Sequence, residues 1–205
     1  MELSSAIVAR GTASLAVSGG KTPARFFKAL GAYDIDWRNI VVTLVDERLV
    51  PATDERSNAR LALQTLMQGA ASAATFVPLF AAGSAADAAR EASSRVGRIP
   101  MPIDVVVLGM GGDGHTASFF PDAEKLDALF ENTAGEFVLA VTAKSAGEPR
   151  LTLSSQVLGS ARFIALHIEG DEKRGVLDAA ISGGNKPIAT LIGKARSPVE
   201  VFWAP

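Results

Sequence analysis

The chain has two histidines, and one of them stands where chemistry is possible. His115 closes the run Gly109-Met110-Gly111-Gly112-Asp113-Gly114 and is followed by Thr116-Ala117-Ser118. Imidazole is the side chain best suited to take and return a proton near neutral pH. A carboxylate two residues earlier, Asp113, can hold the ring in one tautomer or raise its basicity. The glycines let backbone N–H groups approach a ligand and face a developing oxyanion. A lone histidine is more often a satisfied packing residue, but a place after a glycine loop at a strand's carboxyl end favours the chemical role. His167, inside the apolar run Phe163 to Ile168, is expected to be structural.

The same loop matches the dinucleotide fingerprint G-x-G-x-x-G. That fingerprint opens a long helix in the first βαβ unit, whereas Pro121 interrupts any helix soon after Gly114 and the loop lies mid-chain. No second strand ending in an acidic residue follows at the usual distance. A nicotinamide cofactor is therefore not expected.

Three other groups add charge or donors. Ser18-Gly19-Gly20-Lys21-Thr22-Pro23 follows the apolar run Leu15-Ala16-Val17. Close backbone N–H groups and a helix N-terminus favour phosphate, and Lys21 and Thr22 add donors. A strand-to-helix turn with nothing bound reads the same way. Asp46-Glu47-Arg48 follows Ile40 to Val45. Arg48 suits bidentate contact with phosphate or carboxylate, and Asp46 suits a sugar hydroxyl or a water; a solvated loop ion pair is the plain alternative. Arg150 and Lys173 are the remaining cations able to complete an anion site, though each would ordinarily be a surface charge.

Other chemistries are disfavoured. No H-E-x-x-H or similar metal spacing, no G-x-S-x-G and no Walker A loop occurs. There is no cysteine, so a thiolate metal site and a cysteine nucleophile are excluded. The formal net charge is -2, which makes nucleic acid and anionic membrane poor partners. A small anionic molecule remains compatible, because a pocket can be locally positive. The N-terminus lacks the build of a signal peptide, and no apolar stretch approaches the roughly 20 residues of a membrane helix. The cytoplasm is the expected compartment and a monomer the default oligomeric state.

These groups need elements to position them. With 205 residues, 48% of them hydrophobic, the chain is long enough for one domain over residues 1–205 with a real core. Short apolar runs at Leu15–Val17, Ile40–Val45, Phe76–Val77, Ile103–Leu108, Phe137–Val141, Phe163–Ile168 and Val199–Trp203 read as strands. Helices are predicted from Thr22-Pro23 with Phe26, Phe27 and Leu30 facing the core, from Ser57-Asn58, over Ser84–Val96 and over Asp171–Ile181. Alternation of this kind implies an α/β fold in three layers, a mostly parallel sheet with helices on both faces. Ligands in such sheets bind beyond the carboxyl ends of the strands. Ser18–Gly20, Asp46–Arg48 and Gly109–His115 each follow a predicted strand, so they should gather at one edge.

Together, Leu15 to Pro23, Val45 to Pro51 with Ser57-Asn58, Leu108 to Pro121 and Pro149 to Thr152 are more specific than any part. From about Ala13 onward the chain resembles the 6-phosphogluconolactonases of the glucosamine-6-phosphate isomerase/6-phosphogluconolactonase family. The resemblance implies a Rossmann-like fold of the sugar-phosphate isomerase type. It implies hydrolysis of a phosphosugar lactone without metal or organic cofactor. His115 would then be general base, with Asp113 and Asp46 beside it in the catalytic group. Ser18, Gly19, Gly20, Lys21, Thr22, Arg48, Arg150 and Lys173 would bind substrate. The related deaminases typically carry Asp-Glu-Tyr where this chain has Asp46-Glu47-Arg48, which favours the lactonase over a glucosamine-6-phosphate deaminase or isomerase. A non-catalytic phosphosugar-sensing module is the other alternative. The chain departs from the family pattern in a short N-terminal helix, in Lys21 and in Phe119; the first predicts that one sheet face is less covered.

Overall fold

The computed structural model describes residues 2–20 and 22–205. Six parallel strands form the main sheet, in the order β4 (Thr75–Val77), β2 (Ile40–Leu44), β1 (Ala13–Val17), β5 (Val105–Leu108), β8 (Phe163–Glu169) and β9 (Val199–Ala204). The helices around it are α1 (Glu2–Arg10), α2 (Ala24–Gly31), α3 (Asn58–Thr65), α4 (Ala85–Val96), α5 (Leu126–Glu131), α6 (Ser155–Gly159), α7 (Asp171–Ile181) and α8 (Pro187–Lys194). The central strands are near-continuous apolar runs because both of their faces are covered. All residues of β1 and β5 are buried. At the amino ends of these strands, buried Asp104 accepts a hydrogen bond from Ser14 N at 2.9 Å and pairs with Arg10 and Arg162. That pin is remote from the carboxyl ends.

A second, antiparallel sheet joins β3 (Asp46–Arg48), β7 (Arg150–Leu153) and β6 (Val138–Val141). It continues directly from β2: Val45 N donates to Val17 O in the main sheet, and Val45 O accepts from Leu153 N in the second. The alanine-rich face of α4 comes close to β6, and Ser93 Oγ both donates to Val138 O and accepts from Val138 N.

Three local expectations change. Asp46–Arg48 is a short strand, not the start of an irregular stretch, because β7 supplies its partner; Phe137–Val141 joins that same small sheet. The helix after Ser18 begins at Ala24, with Pro23 at the N-cap position and no side-chain cap, so Thr22 does not cap it. Phe27 is buried but Phe26 is 37% exposed. Phe26 is turned about 100° from Phe27 around the helix, toward the apolar groove that it lines beside α1. That groove, of about 620 Å³, runs past Leu3, Leu15, Phe26, Val105, Phe163 and Phe202.

Candidate functional site

The chain steps outward from β1 through β2 to β4, then returns to β5 and continues outward through β8 to β9. The order therefore reverses between β1 and β5. A crevice forms at such a point, between loops that diverge to opposite sides. The loops here begin at Ser18 and Gly109. They touch: a Cβ built on Gly109 would lie 3.4 Å from Ser18 Oγ. Between and above them lies a cleft of about 340 Å³.

His115 is fixed by its own loop. Gly111 N donates to His115 O at 2.9 Å, and Gly114 N donates to Gly111 O at 3.0 Å. Asp113 Oδ1 accepts from His115 N at 3.0 Å and stands 2.6 Å from His115 Nδ1. Partial burial alone would raise the Asp113 pKa. The His115 N–H and ring outweigh this and hold the carboxyl below its ordinary value. An ionised Asp113 assigns the proton to Nδ1, which leaves Nε2 as the acceptor. The ring packs on Phe120, with centroids 4.5 Å apart. Position 111 admits glycine alone: a Cβ there would overlap His115 Cε1 and Nδ1 and lie 2.8 Å from Asp113 Oδ1. Gly111→Ala is accordingly expected to lower kcat by about 100-fold through displacement of the ring, with Tm little changed. A fully active Gly111→Ala enzyme would contradict this placement.

The second sheet supplies the facing wall. In the β3–β7 pairing Asp46 lies opposite Thr152, and Arg48 lies opposite Arg150. Asp46 is buried and accepts from Ser118 Oγ at 2.7 Å and Asn58 Nδ2 at 3.3 Å. Asn58 Oδ1 in turn accepts from the Arg48 guanidinium at 2.9 Å. Gly19 packs against the Asn58 amide so closely that no side chain has room there. Glu47 points away from the cleft and is fully buried. Its carboxylate accepts from Arg48 N, Asn58 N and Ala59 N at 2.8 Å each, and from Ser57 Oγ at 2.9 Å. Burial pushes its pKa up against these donors. Glu47 thus caps α3 and sets the positions of Asn58 and Arg48.

Two arginines opposite each other in a sheet repel. Burial first, and Arg48 second, press the Arg150 guanidinium below its ordinary value. Its one hydrogen bond is from a terminal nitrogen to Ala146 O, its Cζ lies 5.7 Å from the centre of the Phe120 ring, and its buried Nε has no partner among the described residues. Asp46, Glu148 and Glu47 offset part of the downward push on Arg150 without forming an ion pair with it among the described residues. Phe120 packs against the His115 ring and also lies beside this guanidinium.

Of the residues expected at the site, Ser18, Gly19, Gly20, Thr22, Asp46, Arg48, His115, Arg150 and Lys173 all line this cleft. Asp113 stands behind His115. Lys21 lies outside the described residues. Sequence reading missed the parts played by Asn58, Ser118 and Phe120. Asn58 looked like a helix start, which it also is, and Ser118 and Phe120 had only their nearness to His115 as a signal. His167, expected to be structural, also reaches the cleft wall. Among the described residues no group of three His, Cys, Asp or Glu side chains is placed to hold a metal ion, and no helix is long and apolar enough to cross a membrane.

Residues 1–203 match a family described as glucosamine-6-phosphate isomerases/6-phosphogluconolactonase. A 6-phosphogluconolactonase from Mesorhizobium japonicum is 55% identical over 205 residues, covering 99% of this chain and 86% of the relative. One from Pseudomonas aeruginosa is 39% identical, with 99% and 86% covered. The crystal structure of a 6-phosphogluconolactonase from Shewanella baltica superposes with a TM-score of 0.95 at 38% identity, covering 100% of this chain and 88% of that one.

Proposed function

Since the chain belongs to the glucosamine-6-phosphate isomerase/6-phosphogluconolactonase family, we propose that it opens 6-phospho-D-glucono-1,5-lactone with water, using His115 as general base. The observation that carries the reading is the His115–Asp113 pair at the wall of a cleft that also holds Arg48, Arg150 and Lys173. The lactone carbonyl is already an activated ester. What remains is to deprotonate a water, stabilise the oxyanion and place the substrate.

In the proposed course Nε2 takes a proton as the water oxygen bonds to C1. Negative charge gathers on the former carbonyl oxygen, for which the Gly109–Gly114 loop offers backbone N–H groups other than those of Gly111 and Gly114, which bond within the loop. Asp113 balances the imidazolium. The intermediate collapses by breaking the C1–ring oxygen bond, and His115 returns its proton to that oxygen, which becomes the C5 hydroxyl. The new carboxylic acid loses its proton to water. Asp46, held by Ser118 and Asn58, has lone pairs left for a sugar hydroxyl. The Ser18–Thr22 loop, with Arg150 and Lys173, grips the phosphate, and this remote binding sets the carbonyl against the water. Arg48, tied to Asn58, steadies Asp46 and adds positive potential.

The test is lactone opening by freshly prepared 6-phospho-D-glucono-1,5-lactone, followed against spontaneous hydrolysis. Acceleration well above background is expected. Ammonia release from glucosamine 6-phosphate in its place would assign the deaminase reaction instead. Phosphosugar binding with neither activity would make the chain a sensing module.

A further inference from the structure

His167 has no role in the reaction as proposed, yet it lines the catalytic cleft. It occupies the carboxyl end of β8. Along this strand Ile164, Leu166 and Ile168 face one side, and Phe163, Ala165 and His167 the other. An apolar residue would continue that second row. The ring meets Phe26 of α2 edge-on, with centroids 5.9 Å apart. Phe26 belongs to the first turn after the Ser18–Thr22 loop, so the ring is held between that loop's helix and the start of α7, which bears Lys173.

One ring nitrogen is left without a partner among the described residues. Nδ1 is buried without a hydrogen-bond partner. Nε2 stands 3.8 Å from Glu169 Oε1, beyond hydrogen-bond reach. Buried polar groups in native proteins are nearly always paired, so an exception calls for an explanation. Leucine or methionine would fill the same wall with no polar atom to satisfy. The ring lines both the apolar groove and the cleft; with Nδ1 shut off from solvent, Nε2 is the nitrogen left to meet something that enters the cleft. The groups facing the ring are Glu169 on its own strand, Lys173 on α7, and Glu2 and Glu200 on the groove side. Of these only Lys173 shares the cleft, and a cation there calls for an anionic ligand.

We propose that His167 is a specificity residue, which donates a hydrogen bond to the substrate phosphate held between the Ser18–Thr22 loop and Lys173. The inference rests on the phosphosugar reading above, but it concerns the phosphate and not the lactone. In this role His167 raises affinity for phosphorylated substrate and product and leaves the chemical step alone.

The experiment compares the wild-type protein with His167→Leu and His167→Gln. Calorimetry measures binding of 6-phosphogluconate and of gluconate, and kinetics use the phosphorylated and unphosphorylated lactones. His167→Leu is expected to weaken 6-phosphogluconate binding and raise KM about ten-fold, the loss of one hydrogen bond to a charged group. Its kcat should stay within about twofold, and kcat/KM for the unphosphorylated lactone should not change. His167→Gln, which keeps a donor, should recover most of the affinity. Tm of His167→Leu should equal or exceed that of wild type, because an unpaired buried nitrogen has been replaced by an apolar group; a structural histidine would give a lower Tm. Unchanged 6-phosphogluconate affinity in both variants, or equal losses for phosphorylated and unphosphorylated ligands, would overturn the assignment. If the wild type binds 6-phosphogluconate but opens no lactone, the proposed reaction fails while the binding comparison still decides the role of His167.

Discussion

His115→Gln is expected to lower kcat for lactone opening by about a thousandfold, within the range usual for loss of a general base, and to leave KM within about threefold. Glutamine retains similar volume and a polar end but cannot accept a proton at neutral pH. The ring's packing on Phe120 and its bond to Asp113 belong to the loop, not to the ligand. Substrate binding should therefore survive the change, because the groups proposed to hold the phosphate are elsewhere in the cleft. Binding of 6-phosphogluconate should be near normal, and a small residual rate should remain from positioning and oxyanion contacts alone. Steady-state kinetics with product binding as control decides the matter. A variant with near wild-type kcat would remove His115 from the mechanism.

Arg150→Met is expected to raise KM by roughly 100-fold, equivalent to about 3 kcal/mol, with a smaller fall in kcat. Its Tm should be no lower than that of the wild type. The two expectations share a cause. Arg150 lies opposite Arg48 in the β3–β7 pairing, is half-buried, and has only one hydrogen bond of its own. Methionine keeps contact with Phe120 while relieving the repulsion and the unpaired Nε. A group that is unfavourable for the free protein and favourable for the complex acts through its ligand. Thermal denaturation with and without 6-phosphogluconate supplies the check: the ligand should raise Tm of the wild type more than that of the variant. Loss of stability with unchanged KM would show Arg150 to be structural.

Much of this was legible in the residues. The strand runs around β1, β2, β5 and β8 are apolar on both faces, so short hydrophobic stretches located the sheet without ambiguity. Glycines and polar residues at their ends marked the crevice. What escaped was everything set by the second sheet. Arg150-Leu151-Thr152-Leu153 carries too few residues to register as a strand, and Asp46-Glu47-Arg48 looks solvated until β7 pairs with it. The pairing turns Asp46 into a buried acceptor, sets Arg48 opposite Arg150, and sends Glu47 inward to cap α3. No local pattern encodes those outcomes, because each depends on a partner far away in sequence. Phe26 was misjudged for a related reason: its environment is decided by the groove beside α1. His167 was read from its apolar neighbours, which describe the strand correctly and say nothing of the cleft at its end.

The bond between Ser118 and Asp46 spans 72 positions, and it joins the glycine loop of one sheet to the edge of the other. The pairing of β3 with β7 reaches further still. Contacts that close such long loops cost the most chain entropy and tend to form late. The parallel pairings of β1 with β2 and of β2 with β4 draw on nearer segments. The central pairing of Leu15 with Val105 closes a comparably long stretch, so on loop length the middle of the sheet and the cleft are completed together. On a growing chain Asp46 and Arg48 have no strand partner until β7 has been made, so the cleft waits on residues far downstream of its first loop.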